Sequence, residues 1–233
     1  MDARELAQFY QGPMGQRARR LIAERLVEAW PNVKGLRILG FGFAIPFLRP
    51  FMAEAERVVA ASPAEMGVIR WPMESPLTSL CDEDALPFPD SFFDRVLVVH
   101  GFEGAQSLRP LLRQLWRVLT PDGKMLVVAA NRASLWAQVE RSPFAQGRPF
   151  SRRELDSLLK GALFEPESWR HALFTPPLSM ARGRSWERVG RRLFPALAGV
   201  HIAEVRKSLY APARPKPVAA PSLGALLKPA STD

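Results

Sequence analysis

The chain has 233 residues, of which 47% are hydrophobic, so it is long enough and apolar enough to bury a core, and general disorder is excluded. The single cysteine, Cys81, excludes an internal disulfide, and one cysteine with three scattered histidines gives no pattern for a metal site. The first residues lack the apolar core of a signal peptide, and no run approaches the ~18 apolar residues of a membrane span. We therefore expect a cytoplasmic globular protein without a metal ion or a membrane span.

The positive charge of the chain is concentrated in its last third. The net charge is +9, and residues 141–216 alone hold 15 Lys/Arg against 6 Asp/Glu. One interpretation is a solvated, arginine-rich face. The other is a surface for an anionic partner, such as RNA, a phosphorylated metabolite or a lipid head group. The charge by itself does not separate these two interpretations.

Apolar periodicity predicts strands that alternate with helices. A helix is predicted over 15–30, a short or irregular one near Pro46, and another over 107–119, where leucines form one stripe. The predicted strands cover residues 36–39, 57–61, 78–80, 94–99 and 124–130. This alternation is typical of an α/β doubly wound fold with a mostly parallel sheet.

The remaining part of the chain continues this domain and then changes composition. Ser151 and Glu154 form a capping-box pattern that begins a helix, which Gly161 ends, and residues 200–209 resemble a late strand. We expect one domain over 1–210, with an N-terminal helix over 15–30, a first half over 35–135 and a second half over 136–210. Residues 211–233 are rich in Pro and Ala, which predicts a disordered tail.

Several short motifs occur in an order that is typical of a known enzyme family. Gly40-Phe41-Gly42 ends the first strand, Leu-Pro-Phe-Pro-Asp-Ser-Phe-Phe-Asp fills 86–94, and Arg-Val-Leu-Thr-Pro-Asp-Gly fills 117–123 before the fifth strand. This order resembles the class I S-adenosylmethionine (SAM)-dependent methyltransferases, in particular those that act on small molecules, lipids and quinones. The resemblance implies a seven-stranded Rossmann-like sheet, SAM as cofactor, and a small-molecule or lipid acceptor.

The resemblance also implies a set of cofactor residues at the carboxyl ends of the strands. Gly40 and Gly42 would pass beneath the amino-acid part of SAM, with Phe41 between them. Asp82 follows the third strand, four residues before Leu-Pro, and would accept a hydrogen bond from the adenine amino group; Glu83 is a neighbouring alternative. Ser62, at the end of the second strand, would contact the ribose.

His100 and Glu103 are the candidate catalytic residues. His100 ends the fourth strand, at the position that faces the transferred methyl group in related enzymes. A histidine there would accept a proton from a substrate hydroxyl near neutral pH, with Glu103 orienting it. The alternative is a histidine that only satisfies backbone groups at the end of the strand.

Two positions depart from the family pattern. Ile38 occupies the position in strand one where the family usually has an acid. Ser62 occupies the position where the family usually has an acid that binds both ribose hydroxyls. The sequence is compatible with three functions: a SAM-dependent methyltransferase, a catalytically inactive relative that binds RNA or a protein through its basic third, and a nicotinamide-dependent dehydrogenase. The last fits least, since its fingerprint needs glycine where Ile45 stands.

Overall fold

The computed structural model describes residues 1–72, 77–140, 142–177 and 195–209, together with residues 187, 190 and 192. The α-helices in this part of the chain are α1 (Ala3–Gln11), α2 (Pro13–Ala29), α3 (Ile45–Leu48), α4 (Leu108–Val118) and α5 (Arg152–Gly161). The strands are β1 (Arg37–Gly42), β2 (Arg57–Pro63), β3 (Thr78–Cys81), β4 (Phe93–Val99), β5 (Leu119–Ala130), β6 (Phe164–Ala172) and β7 (Val200–Lys207). Among the helices described, none is both long and apolar enough to cross a membrane.

All seven strands belong to one sheet, in the order β3-β2-β1-β4-β5-β7-β6. The first five strands run parallel to one another, and β7 is antiparallel to both of its neighbours, β5 and β6. The strand order reverses between β1 and β4, which places a crevice at their carboxyl ends. The predicted fold, a doubly wound and mostly parallel seven-stranded sheet, is confirmed.

Two apolar layers cover the two faces of the sheet. Successive residues of β4 alternate between them: Leu97 and Val99 belong to the layer that contains α1, α2 and α3, while Val96 and Val98 belong to the layer that contains α4 and α5. All four side chains are fully buried. Burial on both faces explains why β4 is a continuous apolar run rather than an alternating one.

Most predicted elements agree with the structure within a few residues. The capping box is confirmed, because Ser151 Oγ accepts from the Glu154 amide at 3.2 Å and Glu154 Oε2 accepts from the Ser151 amide at 2.9 Å. Two elements were not located from the sequence, helix α1 and strand β6, and β2 continues two residues past its predicted end. The predicted tail over 211–233 lies outside the described residues, and the single domain over 1–210 stays a prediction.

The end of β1 packs directly against the end of β4. Gly42 has a φ of 77°, and a Cβ built on it would lie 2.5 Å from the Val99 carbonyl oxygen and 2.8 Å from Gly101 Cα. The amide of Phe43 donates to the same Val99 oxygen at 2.8 Å. Gly42 is therefore required by both its backbone conformation and the close approach of β4.

We predict that Gly42→Ala destabilises the fold more than Gly35→Ala. Gly35 has a similar φ of 71°, but nothing lies within 4 Å of its hypothetical Cβ. Gly35→Ala should therefore cost only the conformational strain, about 1–2 kcal/mol. Gly42→Ala adds overpacking, which typically costs about 1–3 kcal/mol more. Urea unfolding of both variants measures the difference, and equal costs would contradict the packing explanation.

Candidate active site

The glycine turn at the end of β1 is filled by the protein's own side chains. A Cβ on Gly40 would lie 2.6 Å from Leu48 Cδ1, so this glycine allows α3 to approach the strand. Phe41 is fully buried in the layer with α4, and a Cβ on Gly101 would lie 2.9 Å from its ring. The Phe41 side chain thus packs beneath the loop after β4, and any contact of Phe41 with a ligand in the crevice would come from its backbone.

Ser62 lies in the last part of β2 and is nearly buried. Its hydroxyl donates to the Gly67 carbonyl at 2.6 Å and so closes the turn after the strand. The hydroxyl hydrogen is therefore engaged, and only the oxygen lone pairs of Ser62 remain to accept from a ligand. A ribose would receive at most one neutral contact here, which is weaker than a charged pair of contacts.

A cavity of about 230 Å³ lies beside the ends of β2 and β3. Its described lining includes Gln106, Ser107 and several apolar residues. It also includes four carboxylates, those of Glu65, Asp82, Glu83 and Asp84. Ionised carboxylates only accept hydrogen bonds, so the cavity suits a ligand that presents amino and hydroxyl donors.

Within this cavity, Asp82 and Glu83 have different environments. Asp82 is exposed. Glu83 Oε2 accepts from the Gln106 amide at 3.0 Å, and partial burial raises the pKa of Glu83. Burial also raises the pKa of the neighbouring Cys81 thiol to about 12, with Asp82 and Glu83 adding to the effect, so the thiol stays protonated. Asp82 and Asp84 are both exposed at this cavity, and Asp82 is the one that directly follows the last residue of β3.

His100 lies at the carboxyl end of β4 and is held by Tyr10. The Tyr10 hydroxyl and His100 Nε2 are 2.7 Å apart, and both side chains are less than 5% exposed. Burial lowers the pKa of His100 to about 3, so the imidazole is neutral at physiological pH. His100 also has a φ of 52°, a left-handed conformation that costs free energy for a residue with a Cβ and is often found at functional sites.

Glu103 is buried in the loop that follows β4. Its Oε1 accepts from the Ala130 amide at 2.8 Å, which ties this loop to the end of β5. Burial raises the pKa of Glu103 to about 6. Burial also raises the pKa of Tyr10 well above its usual value, and the charge of Glu103 adds to this effect. The expected contact in which Glu103 orients His100 is replaced by the Tyr10 contact. Within the described part of the chain, Glu103 Oε2 and His100 Nδ1 have no hydrogen-bond partner.

Helix α1 covers the carboxyl edge of the sheet between these two regions. The Ala3 amide donates to the Met66 carbonyl at 2.8 Å, beyond the end of β2, while Tyr10 reaches the end of β4. The Tyr10 ring stacks on Phe43 with centroids 5.9 Å apart. The sequence carried a signal for this helix, since Asp2 caps it and Ala3, Leu6 and Tyr10 form its buried face. The position of Tyr10 at the site, by contrast, could not be read from local sequence, because it depends on a contact with His100, 90 positions away.

We predict that Tyr10→Phe lowers the free energy of unfolding by about 1–3 kcal/mol, because it leaves Nε2 of the buried His100 without a partner. In a His100→Phe background the partner is already gone, so the same substitution should cost much less. Urea unfolding of the four proteins in this double-mutant cycle measures the coupling. Additive effects would show that the contact contributes nothing.

We predict that stability falls on acidification through His100. Its pKa is about 3 in the fold against a usual 6.5, so the unfolded chain takes up a proton below pH 6.5 that the fold refuses. Between pH 7.5 and pH 5 this difference amounts to about 2 kcal/mol. Glu103, with its raised pKa, acts in the opposite direction below pH 6, so the test compares parent and His100→Gln. The parent should lose about 2 kcal/mol more than the variant.

Comparisons with known proteins agree with this architecture. A family model described as a methyltransferase domain matches residues 40–127. The ubiquinone/menaquinone biosynthesis C-methyltransferase UbiE of Bordetella avium is 41% identical over 56 residues, which is 24% of this chain and 22% of that protein. The Ralstonia pickettii UbiE is 30% identical over 94 residues, 40% of this chain and 36% of that protein. The chain therefore matches only about a fifth to a third of the length of these relatives.

Solved structures match over much more of the chain. A SAM-dependent methyltransferase of Thermotoga maritima, described as a possible histamine N-methyltransferase, superposes with a TM-score of 0.61 at 18% identity, covering 88% of this chain and 95% of that one. The 1,6-didemethyltoxoflavin-N1-methyltransferase of Burkholderia thailandensis gives a TM-score of 0.51 at 16% identity, covering 82% and 78%. Together with the strand order, these matches show the fold of the class I SAM-dependent methyltransferases, and the family model identifies a methyltransferase domain over residues 40–127.

Proposed function

We propose that this protein transfers a methyl group from SAM to a small-molecule acceptor at the carboxyl edge of β1, β2, β3 and β4. The observation that carries the proposal is the exposed Asp82 carboxylate at the cavity between the ends of β2 and β3. In line with the UbiE and toxoflavin relatives, we expect the acceptor to be a small molecule. The cytoplasmic location expected from the single cysteine stays a prediction.

The residues around this cavity fit the adenosine half of the cofactor. Asp82 is free to accept from the adenine amino group, and Glu83 and the Ser62 oxygen supply further acceptors near the ends of the strands. At the other half of the site, Gly40 and Gly42 offer backbone groups only. Tyr10 contacts His100 and stacks on Phe43 there, so a ligand that reaches this half would lie against the face of α1 that carries Tyr10.

Bound SAM supplies an electrophilic methyl group, and the chain has to position a nucleophile and remove its proton. An imidazole with a pKa of about 3 is a hydrogen-bond acceptor but a weak base. In the tautomer that carries its hydrogen on Nε2, His100 donates to Tyr10 and leaves Nδ1 to orient an acceptor hydroxyl. Glu103, with a pKa of about 6 and an unpartnered Oε2, is the better proton acceptor. The proposed roles of the two residues are thus the reverse of those expected from the sequence.

The alternative, an inactive relative that binds RNA or a protein through residues 141–216, has less support. Several basic side chains of this segment are engaged within the fold. Arg170 pairs with Glu204 at 3.2 Å, Arg206 with Glu165 at 2.7 Å, and Lys207 donates to the Leu119 carbonyl at 2.8 Å. Other basic residues of the segment lie outside the described part, so an RNA or protein partner stays a prediction.

We predict that Asp82→Asn weakens binding of SAM and S-adenosylhomocysteine at least tenfold, because a hydrogen bond to a charged acceptor contributes roughly 1.5–3 kcal/mol. Isothermal titration calorimetry measures both affinities. Asp122→Asn is the matched control, since this acid is also exposed but lies in β5, outside the lining of the cavity. It should bind like the parent. Equal affinities of the parent and Asp82→Asn would remove Asp82 from the site, and a parent that binds neither compound would overturn the proposed function.

A further inference from the structure

A cavity of about 790 Å³ lies away from the crevice, between the first turns of α2, the short helix α3 and Glu187. None of its lining residues lines the cavity beside Asp82. It lies within the range of volumes that small-molecule sites occupy, about 300–1,000 Å³. Four of its lining residues are arginines: Arg17, Arg19, Arg20 and Arg49.

Among the described residues that line this cavity, positive charges outnumber negative ones. Glu187 is the one carboxylate in this described lining, and it accepts from the amide and the hydroxyl of Thr175 at 3.0 and 3.1 Å. Arg17 donates to the same Thr175 hydroxyl at 3.3 Å. Within the described part of the chain, Arg19, Arg20 and Arg49 have neither an ion pair nor a hydrogen bond from their side chains. Like charges that share one concavity repel one another, and a bound anion relieves that repulsion.

The start of α2 adds to the positive potential. This helix of 17 residues begins at Pro13, which lines the cavity, and its N-cap, Gly12, has no side chain to cap the first amides. No acidic residue occupies its first turn. The N-terminal end of a helix carries about half a positive charge and favours phosphate and other anions. The arginines point to an anionic ligand, and the helix end adds only its dipole, because Pro13 has no amide hydrogen and the Gln16 amide already donates to the Gly12 carbonyl.

We propose that this cavity binds a phosphate-bearing ligand. Planar guanidinium groups bind phosphate oxygens in pairs, and a phosphate presents several oxygens and up to two charges to several arginines at once. Pro13, Pro46, Pro50, Leu21 and Ala23 supply apolar walls beside them, so an apolar part of the same ligand has a surface to contact. The phosphate belongs either to a soluble metabolite or to a phospholipid head group. The site is independent of the proposed methyl transfer.

The test combines two phosphate probes with a matched pair of variants. The site variant is Arg20→Gln with Arg49→Gln. The control is Arg109→Gln with Arg113→Gln, which makes the same change of charge on α4, beside a different cavity of about 700 Å³. Calorimetry with inorganic pyrophosphate at low salt tests whether the cavity binds a soluble phosphate.

Co-sedimentation with phosphatidylglycerol vesicles, compared with phosphatidylcholine vesicles, tests whether it binds the phosphate of a lipid. Far-UV circular dichroism checks that all the variants fold, and the single Arg49→Gln variant serves if the double one does not.

We expect the parent and the control to bind one of the probes, and the site variant to bind it at least tenfold more weakly. Binding of pyrophosphate indicates a soluble ligand, while binding of phosphatidylglycerol vesicles alone indicates a phospholipid. Two results would overturn the proposal. The first is a parent that binds neither probe at low salt. The second is an equal loss of binding in the site variant and the control, which would indicate a general effect of net charge.

Discussion

The hydrogen bond between Tyr10 and His100 is the contact on which the candidate active site depends. It joins the first helix to the end of β4 at 2.7 Å and lies in an apolar environment, because Phe43, Phe47 and Phe144 surround the two rings. Burial there lowers the pKa of His100 to about 3, and burial nearby raises that of Glu103 to about 6. The exclusion of water from this edge of the sheet therefore determines the protonation of both candidate catalytic residues, and the same buried contact holds α1 against the sheet.

The charges of the protein are segregated in a way that its net charge conceals. Carboxylates gather beside the ends of β2 and β3, whereas arginines gather beside α2 and α3. The basic surplus in the sequence lies over 141–216, yet the arginines that line the large cavity come from residues 17–49. Counting charge along the chain does not show which basic side chains are paired, because ion pairs such as Arg170–Glu204 depend on strand pairing between β6 and β7.

The order of strands and helices was predictable because each depends on local patterns. The run Val96–Val99 is apolar on both faces, and Ser151 with Glu154 forms a capping box, so both were found from neighbouring residues alone. The site was less predictable. The positions of Asp82 and Ser62 followed from the ends of their strands, but the hydrogen bond from Ser62 to Gly67 depends on the shape of a turn. The partner of His100 comes from a helix that lies 90 positions away.

At the two positions where the sequence resemblance implies an acid, Ile38 and Ser62, this edge of the sheet does not favour one. Ile38 is fully buried in the apolar layer that contains α1 and α2, where an acid without a partner would cost several kcal/mol or lose its charge. Ser62 is nearly buried and bonded to its own turn, so an acid there would have to displace that bond. Asp82, in contrast, stays exposed to solvent beside the ends of β2 and β3, while the aromatic side chains of Phe43 and Phe47 pack against Tyr10 beneath α1.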